Sequence, residues 1–183
     1  CPMTSILKVN QIQNTAGTVT IPVMAGGIIQ VQYTQFTGTA SPSITSTVDS
    51  VLTDLTVSIT PTATSSKILL QTHVFFESSI SDYKINWMFF RDSTVLKAPI
   101  VGSRKSVISA SATSFYDDDN SSTPSTAVYQ YFDTPSTTSA VTYKVGVISD
   151  GASTLYINRS AGDADTSGYE RGISYISATE IAG

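Results

Sequence analysis

Four groups of residues carry functional chemistry by type and spacing, and each points to a different activity. His73 is the only histidine of the chain. A hydrolytic triad needs its imidazole beside a Ser or Cys nucleophile and an orienting carboxylate. His73 sits in Leu-Leu-Gln-Thr-His-Val-Phe-Phe-Glu, a strand-like run, and no G-x-S-x-G nucleophile elbow occurs anywhere. The expected role of His73 is therefore structural, and the chain is expected not to be an enzyme. Asp163-Ala164-Asp165-Thr166-Ser167-Gly168 follows the first half of a calcium loop, with oxygen ligands at alternate positions and Gly at the sharp turn. The bidentate Glu that should close such a loop falls at Ser174, and Glu170 comes too early. A solvated acidic turn is the expectation, so no metal site is assigned, with Asp163, Asp165 and Ser167 as the ligands if calcium binds. Asp117-Asp118-Asp119-Asn120 is a second cluster of oxygens whose charges repel unless a cation or Lys/Arg intervenes.

Aromatic residues beside polar loops offer recognition instead of catalysis. Tyr83, Phe115, Tyr116 and Tyr169 neighbour Asp, Asn and Ser. A ring that packs on sugar C–H groups, flanked by short polar side chains that bond hydroxyls, is what a carbohydrate surface needs. Tyr83, Tyr116, Asp117, Asn120 and Tyr169 are the candidate receptor or glycan contacts. The plainer alternative is that these rings cap the ends of the fold. Paired carboxylates such as Asp117 to Asp119 with Glu170 or Asp163 leave a polysaccharide-degrading enzyme as the weakest alternative, since glycosidases need two carboxyls set across a cleft.

The elements that must position these groups are strands. Charged residues make up 13% of the chain, against roughly 25% in ordinary soluble domains, and Ser and Thr fill the polar share. The formal net charge of −4 and the scattering of ten basic residues argue against a nucleic-acid platform. No apolar run approaches the roughly 18 residues of a membrane span, so no membrane insertion is expected. The single Cys, Cys1, makes no internal disulfide, and Cys1-Pro2 ahead of Met3 is expected to be a processing remnant.

Residues 1–27 form a short N-terminal segment in which Leu7, Val9 and Ile12 precede a turn and Val19, Ile21 and Val23 alternate with polar positions. About 25 residues bury too little surface to stand alone, so the segment is expected to lean on its own domain or on other copies. Residues 28–183 form the main domain. Ile29, Val31 and Tyr33 share one face of its first strand, and Leu55, Val57 and Ile59 point inward further on. Lys67 to Glu77 is the longest apolar strand and is expected to pair with Lys84 to Arg91. Both carry apolar residues on either face, so both faces are expected to be covered. Ala127 to Val147 reads as a β-hairpin turned at Asp133-Thr134-Pro135. Thr37 to Asp54 and Gly162 to Arg171 read as loops, and no window has helical periodicity. About eight to ten short strands at 8–12-residue spacing predict an all-β sandwich, jelly roll or barrel.

The opening Met3 to Gly17, MTSILKVNQIQNTAG, resembles the start of tail-fibre-type structural proteins of bacteriophages. The remainder is similar to the globular domain that ends such proteins, through TPTATSSKILLQ (Thr60 to Gln71), WMFFRDSTVL (Trp87 to Leu96), YFDTPSTTSAVTYKV (Tyr131 to Val145), LYINRS (Leu155 to Ser160) and the closing GISYISATEI. The resemblance implies an antiparallel jelly-roll β-sandwich like that of tumour necrosis factor and the complement globular heads, assembled as a homotrimer. His73, Phe75, Trp87, Phe89, Tyr131 and Tyr143 are then the candidate trimer-interface or core residues. Leu7, Val9, Ile12, Val19 and Ile21 would attach to other virion proteins. The implied function is a short fibre or tail appendage on the exterior of the phage particle, assembled in the host cytoplasm, whose head meets a host-surface glycan or protein. A capsid decoration or cement protein of the same fold is the alternative.

Overall fold

The computed structural model describes residues 24–81, 84–113 and 121–183. Among them every regular element is a strand: β1 (Ile28–Phe36), β2 (Ser43–Ile44), β3 (Ser50–Ile59), β4 (Lys67–Ser78), β5 (Lys84–Arg91), β6 (Thr94–Leu96), β7 (Ser109–Ala112), β8 (Ser125–Asp133), β9 (Val141–Ser149), β10 (Ser153–Ile157) and β11 (Ser174–Ile181). The wealth of Val, Ile, Thr and aromatic residues with a period of 2 explains the exclusion of helix. The loop expected over Thr37 to Asp54 in fact contains β2 and the start of β3, which begins five residues before Leu55.

Two antiparallel sheets face each other, as in a jelly roll. The first runs β1-β11-β4-β8, with β10 continuing past β11 along the same edge of β4 and β2 beyond it. The second runs β3-β9-β5, and the far edge of β5 is shared by β6 and β7. Between them lies one core. Leu55, Ile68, Leu70, Val74, Phe76, Ile85, Trp87, Phe89, Tyr143, Val145, Leu155 and Ile176 all belong to it. Leu55, Val57 and Ile59 point into it as expected.

Two expected pairings are wrong. β8 and β9 are not a hairpin: β8 hydrogen-bonds β4 in the first sheet, and β9 hydrogen-bonds β3 and β5 in the second. The turn after Asp133 carries the chain across the sandwich. β4 and β5 likewise lie in opposite sheets. In both cases alternation correctly marks a buried face, but two buried faces meet equally well across a core as along a ladder.

A buried polar clamp ties the sheets at that crossing. Asp133, at the end of β8, accepts from Arg91 Nη1 of β5 at 3.0 and 2.9 Å and from the Tyr143 hydroxyl of β9 at 2.7 Å. Burial, then the hydrogen bond to Asp133 and its negative charge, push the Tyr143 phenol far up, so it stays a donor. The Tyr129 hydroxyl of β8 makes a second link, donating to the Met88 carbonyl at 3.0 Å, and burial raises its pKa too.

Candidate functional site

The outer faces of the two sheets differ, and among the described residues no segment lies over most of the first sheet's. Register places its outward residues in rows across β1, β11, β4 and β8: Val31, Thr179, Leu69 and Phe132; then Tyr33, Ser177, Gln71 and Gln130; then Gln35, Tyr175, His73 and Val128. Tyr33 is 72% exposed, Val128 66% and Phe132 57%. Across these rows no outward position is charged, and Lys67 stands at one end. His73 stacks on Tyr175, with centroids 6.0 Å apart and planes within 10°, and its Nδ1 lies 3.1 Å from the Ile173 carbonyl oxygen. Phe75 lies half-buried with its ring on Gly172, where a Cβ would come within 2.3 Å of it.

The other expected interface or core residues face inward. Trp87, Phe89 and Tyr143 are fully buried inside the single chain, and Tyr131 packs against the same core. Of the two roles expected for these four, interface or core, they occupy the protomer's own core. Their neighbours explain why: Trp87 meets Phe76 edge-on at 5.0 Å and donates from Nε1 to Ser111 Oγ, and Phe89 packs on Tyr129 at 4.8 Å. Leu7, Val9, Ile12, Val19 and Ile21 lie outside the described residues, as do Tyr83, Tyr116, Asp117 and Asn120.

A cavity of about 490 Å³ opens at one end of the sandwich. The end of β4, the start of β8, β7 and the loop before β11 supply its walls: Glu77, Ser78, Ala112, Ser122, Pro124 and Glu170 among them. Glu77 is 1% exposed and fully engaged. Its Oε1 accepts from the Thr123 N–H and hydroxyl at 3.0 and 3.1 Å, and its Oε2 from the Ala161 N–H at 2.8 Å. Glu170 lies at the exposed rim, and its Oε2 accepts from the Ser122 hydroxyl at 2.9 Å and from the Ser160 hydroxyl. Glu170 Oε1 accepts no hydrogen bond from the described residues. Tyr169 is half-buried, with one side of its ring packed on Gly162.

The Asp163 loop engages arginines of its own chain. Asp163 is ion-paired with both Arg159 and Arg171, whose charges take the place a cation would fill, and Asp165 and Ser167 are exposed. Among the described residues no three His, Cys, Asp or Glu converge as a metal site, and no helix is long and apolar enough to cross a membrane. The Asn158 side chain is structural: it is fully buried, donates to the Phe36 and Gly38 carbonyls and accepts from Ser174.

Sequence reasoning missed Glu77 and Glu180. Glu180 is buried on β11, where Oε1 accepts from the Thr62 N–H, the Thr62 hydroxyl and the Ser66 hydroxyl, and Oε2 from Gln30. Burial alone would raise its pKa, but the bonds from Ser66, Gln30 and Thr62 outweigh that and hold it at about 2. Its phase gave a signal, since Glu180 shares the face of the inward Ile176 and Ala178. A carboxylate on a buried phase must find donors.

What the fold defines is an antiparallel β-sandwich of jelly-roll type. No protein-family model matches the chain, and no curated protein does. Among solved structures, a chain of the infectious bursal disease virus Gx strain matches at 10% identity and a TM-score of 0.37, covering 99% of this chain and 47% of that one. At that score the likeness carries no argument about what the chain does.

Proposed function

We propose that the chain is a non-enzymatic structural protein of a bacteriophage virion, a homotrimeric fibre or tail appendage whose head meets the host surface. The observation that carries this reading is the bare outer face of the first sheet. Four strands spaced about 4.8 Å apart and some eight residues long present roughly 500 Å² per copy. Exposed Val31, Tyr33, Val128, Phe132 and Tyr175 are set on this face among uncharged Gln, Ser and Thr. Exposed apolar residues grouped on one face mark an interaction site, and a standard interface takes about 800 Å² from each partner. A face of that size is the central part of such an interface, shared in a three-fold arrangement between two neighbours, and the sheet edges and residues before Ile28 supply the rest. The lack of charge favours an identical partner, since self-association sets like charges against each other and an uncharged face avoids that cost. The likeness of Met3 to Gly17 and of the strand segments to tail-fibre proteins supports the same reading, with residues before Ile28 as the attachment to the particle.

The test is sedimentation of the intact chain. A mass near three times 19.4 kDa is expected, and Phe132→Lys, which sets a charge at the β8 edge of that face, should reduce it to that of one chain. A wild-type monomer would overturn the assembly. Gold-labelled antibody on purified particles should mark an external appendage. Label confined to the shell would replace that placement with decoration.

A further inference from the structure

We propose that the end cavity binds a neutral saccharide unit, with Glu170 Oε1 accepting a hydrogen bond from a sugar hydroxyl. The inference rests on the recognition role given above and deepens it by naming the class of ligand. Its volume of about 490 Å³ falls within the roughly 300–1,000 Å³ of small-molecule sites. Glu77 and Glu170 are the only charged residues among its described lining, so the cavity repels anions such as uronates. Glu77 is not available to a ligand, because three donors already occupy its oxygens. Glu170 is built differently. The Ser122 and Ser160 hydroxyls brace Oε2, and the Glu170 N–H donates to Ser160 Oγ at 2.8 Å. One oxygen is held and the other accepts nothing from the described residues, so the acceptor is oriented before any ligand arrives.

A hydroxyl fits that arrangement better than a cation. Calcium takes six to eight oxygens, and here one carboxylate oxygen remains unengaged. A sugar O–H needs only one acceptor, and a charged acceptor roughly doubles the strength of the bond. Ala112 and Pro124 provide apolar wall for the ring carbons, and Ser125 adds a hydroxyl.

Saturation-transfer NMR on the intact protein with glucose, galactose, mannose, N-acetylglucosamine and glucuronate at millimolar concentration tests this. Transfer to at least one neutral sugar is expected, with none to glucuronate. Glu170→Gln keeps an oxygen for the two serine braces and should weaken binding about tenfold, the loss of one hydrogen bond to a charged group. Ala112→Tyr, at an exposed position on the wall, should abolish binding by filling the space. Failure of every neutral sugar, equal transfer to glucuronate, affinity unchanged in both variants, or a calorimetric response to calcium chloride alone would each overturn the inference. Sedimentation mass is read on the same samples. A trimer that binds no sugar sinks this inference and leaves the assembly standing; a monomer that binds sugar does the reverse.

Discussion

The two sheets bury their inner faces against one core, yet they treat their outer faces in opposite ways. On the second sheet Met88, Phe90 and Ile148 are buried outside the main core, packed with Val51, Val95 and Val107. The chain makes this cover itself, since Val107 comes from the connection between β6 and β7, and Gly146 leaves the space that Met88 and Phe90 occupy. On the first sheet Val31, Tyr33, Val128 and Phe132 have no such cover from the described residues. A connecting segment closes the apolar outer face of the second sheet, and among the described residues nothing does so for the first, where we propose that a partner does. Apolar residues on both faces of a strand therefore carry two meanings here: on β5 the second cover comes from the same chain, and on β4 we assign it to another copy.

The largest expected effects break that comparison directly. Met88→Lys buries an unpaired ammonium and should lower the unfolding free energy by about 4 kcal/mol or more, read by denaturant titration. Val128→Lys places the same group on the open face. It should leave cooperative unfolding and the far-ultraviolet spectrum intact while the sedimentation mass falls to one chain. Equal destabilisation by the two would mean that the faces are alike. Next in size is the clamp between the sheets. Asp133→Ala leaves Arg91 Nη1 and the Tyr143 hydroxyl without their shared acceptor, at a cost of about 3 kcal/mol. Tyr143→Phe removes one bond to a charged group and should cost about 1.5 kcal/mol. Because the clamp joins the sheets, both variants should loosen the assembly as well as the protomer.

Strand existence was legible from the residues, and strand partnership was not. Ile28 to Phe36, Lys84 to Arg91 and Thr94 to Leu96 are strands at the bounds their alternation suggests. Alternation says which side of β8 is buried, but it cannot say whether β9 lies beside it or across from it; that is decided by core width and by where the turn after Asp133 leads. Asp133 itself looks like turn chemistry and is instead the buried acceptor of the clamp, because its phase on β8 matches Ala127 and Tyr129. The cavity was half legible. Glu170 drew notice as an acidic-loop residue, whereas Glu77 lies on the outward phase of β4 and is buried only because residues 121–125 and 160–162 fold over it. Cover of that kind comes from segments far away in sequence, and local pattern holds no trace of it.

A pH-dependent effect sharpens the comparison from the inner side of the open sheet. Glu180 joins β11 to Gln30 of β1 and to Thr62 and Ser66 between β3 and β4, so it fixes the β1 edge from which Val31 and Tyr33 project. Its pKa in the folded chain is about 2, below the ordinary 4.5. A depressed carboxyl stabilises the fold fully above its unfolded value and loses that contribution as pH falls through the folded one. Stability should therefore drop between about pH 5 and pH 2, by about 2 kcal/mol from this group, and Glu180→Gln should flatten the slope in that window while lowering stability at pH 7. Because the group holds the β1 edge, acid should also weaken assembly of the wild type before Met88 and Phe90 become accessible on the other sheet. Sedimentation and hydrogen exchange across the same pH series would separate the two events. Simultaneous loss would show that Glu180 supports the whole sandwich and not the open sheet in particular.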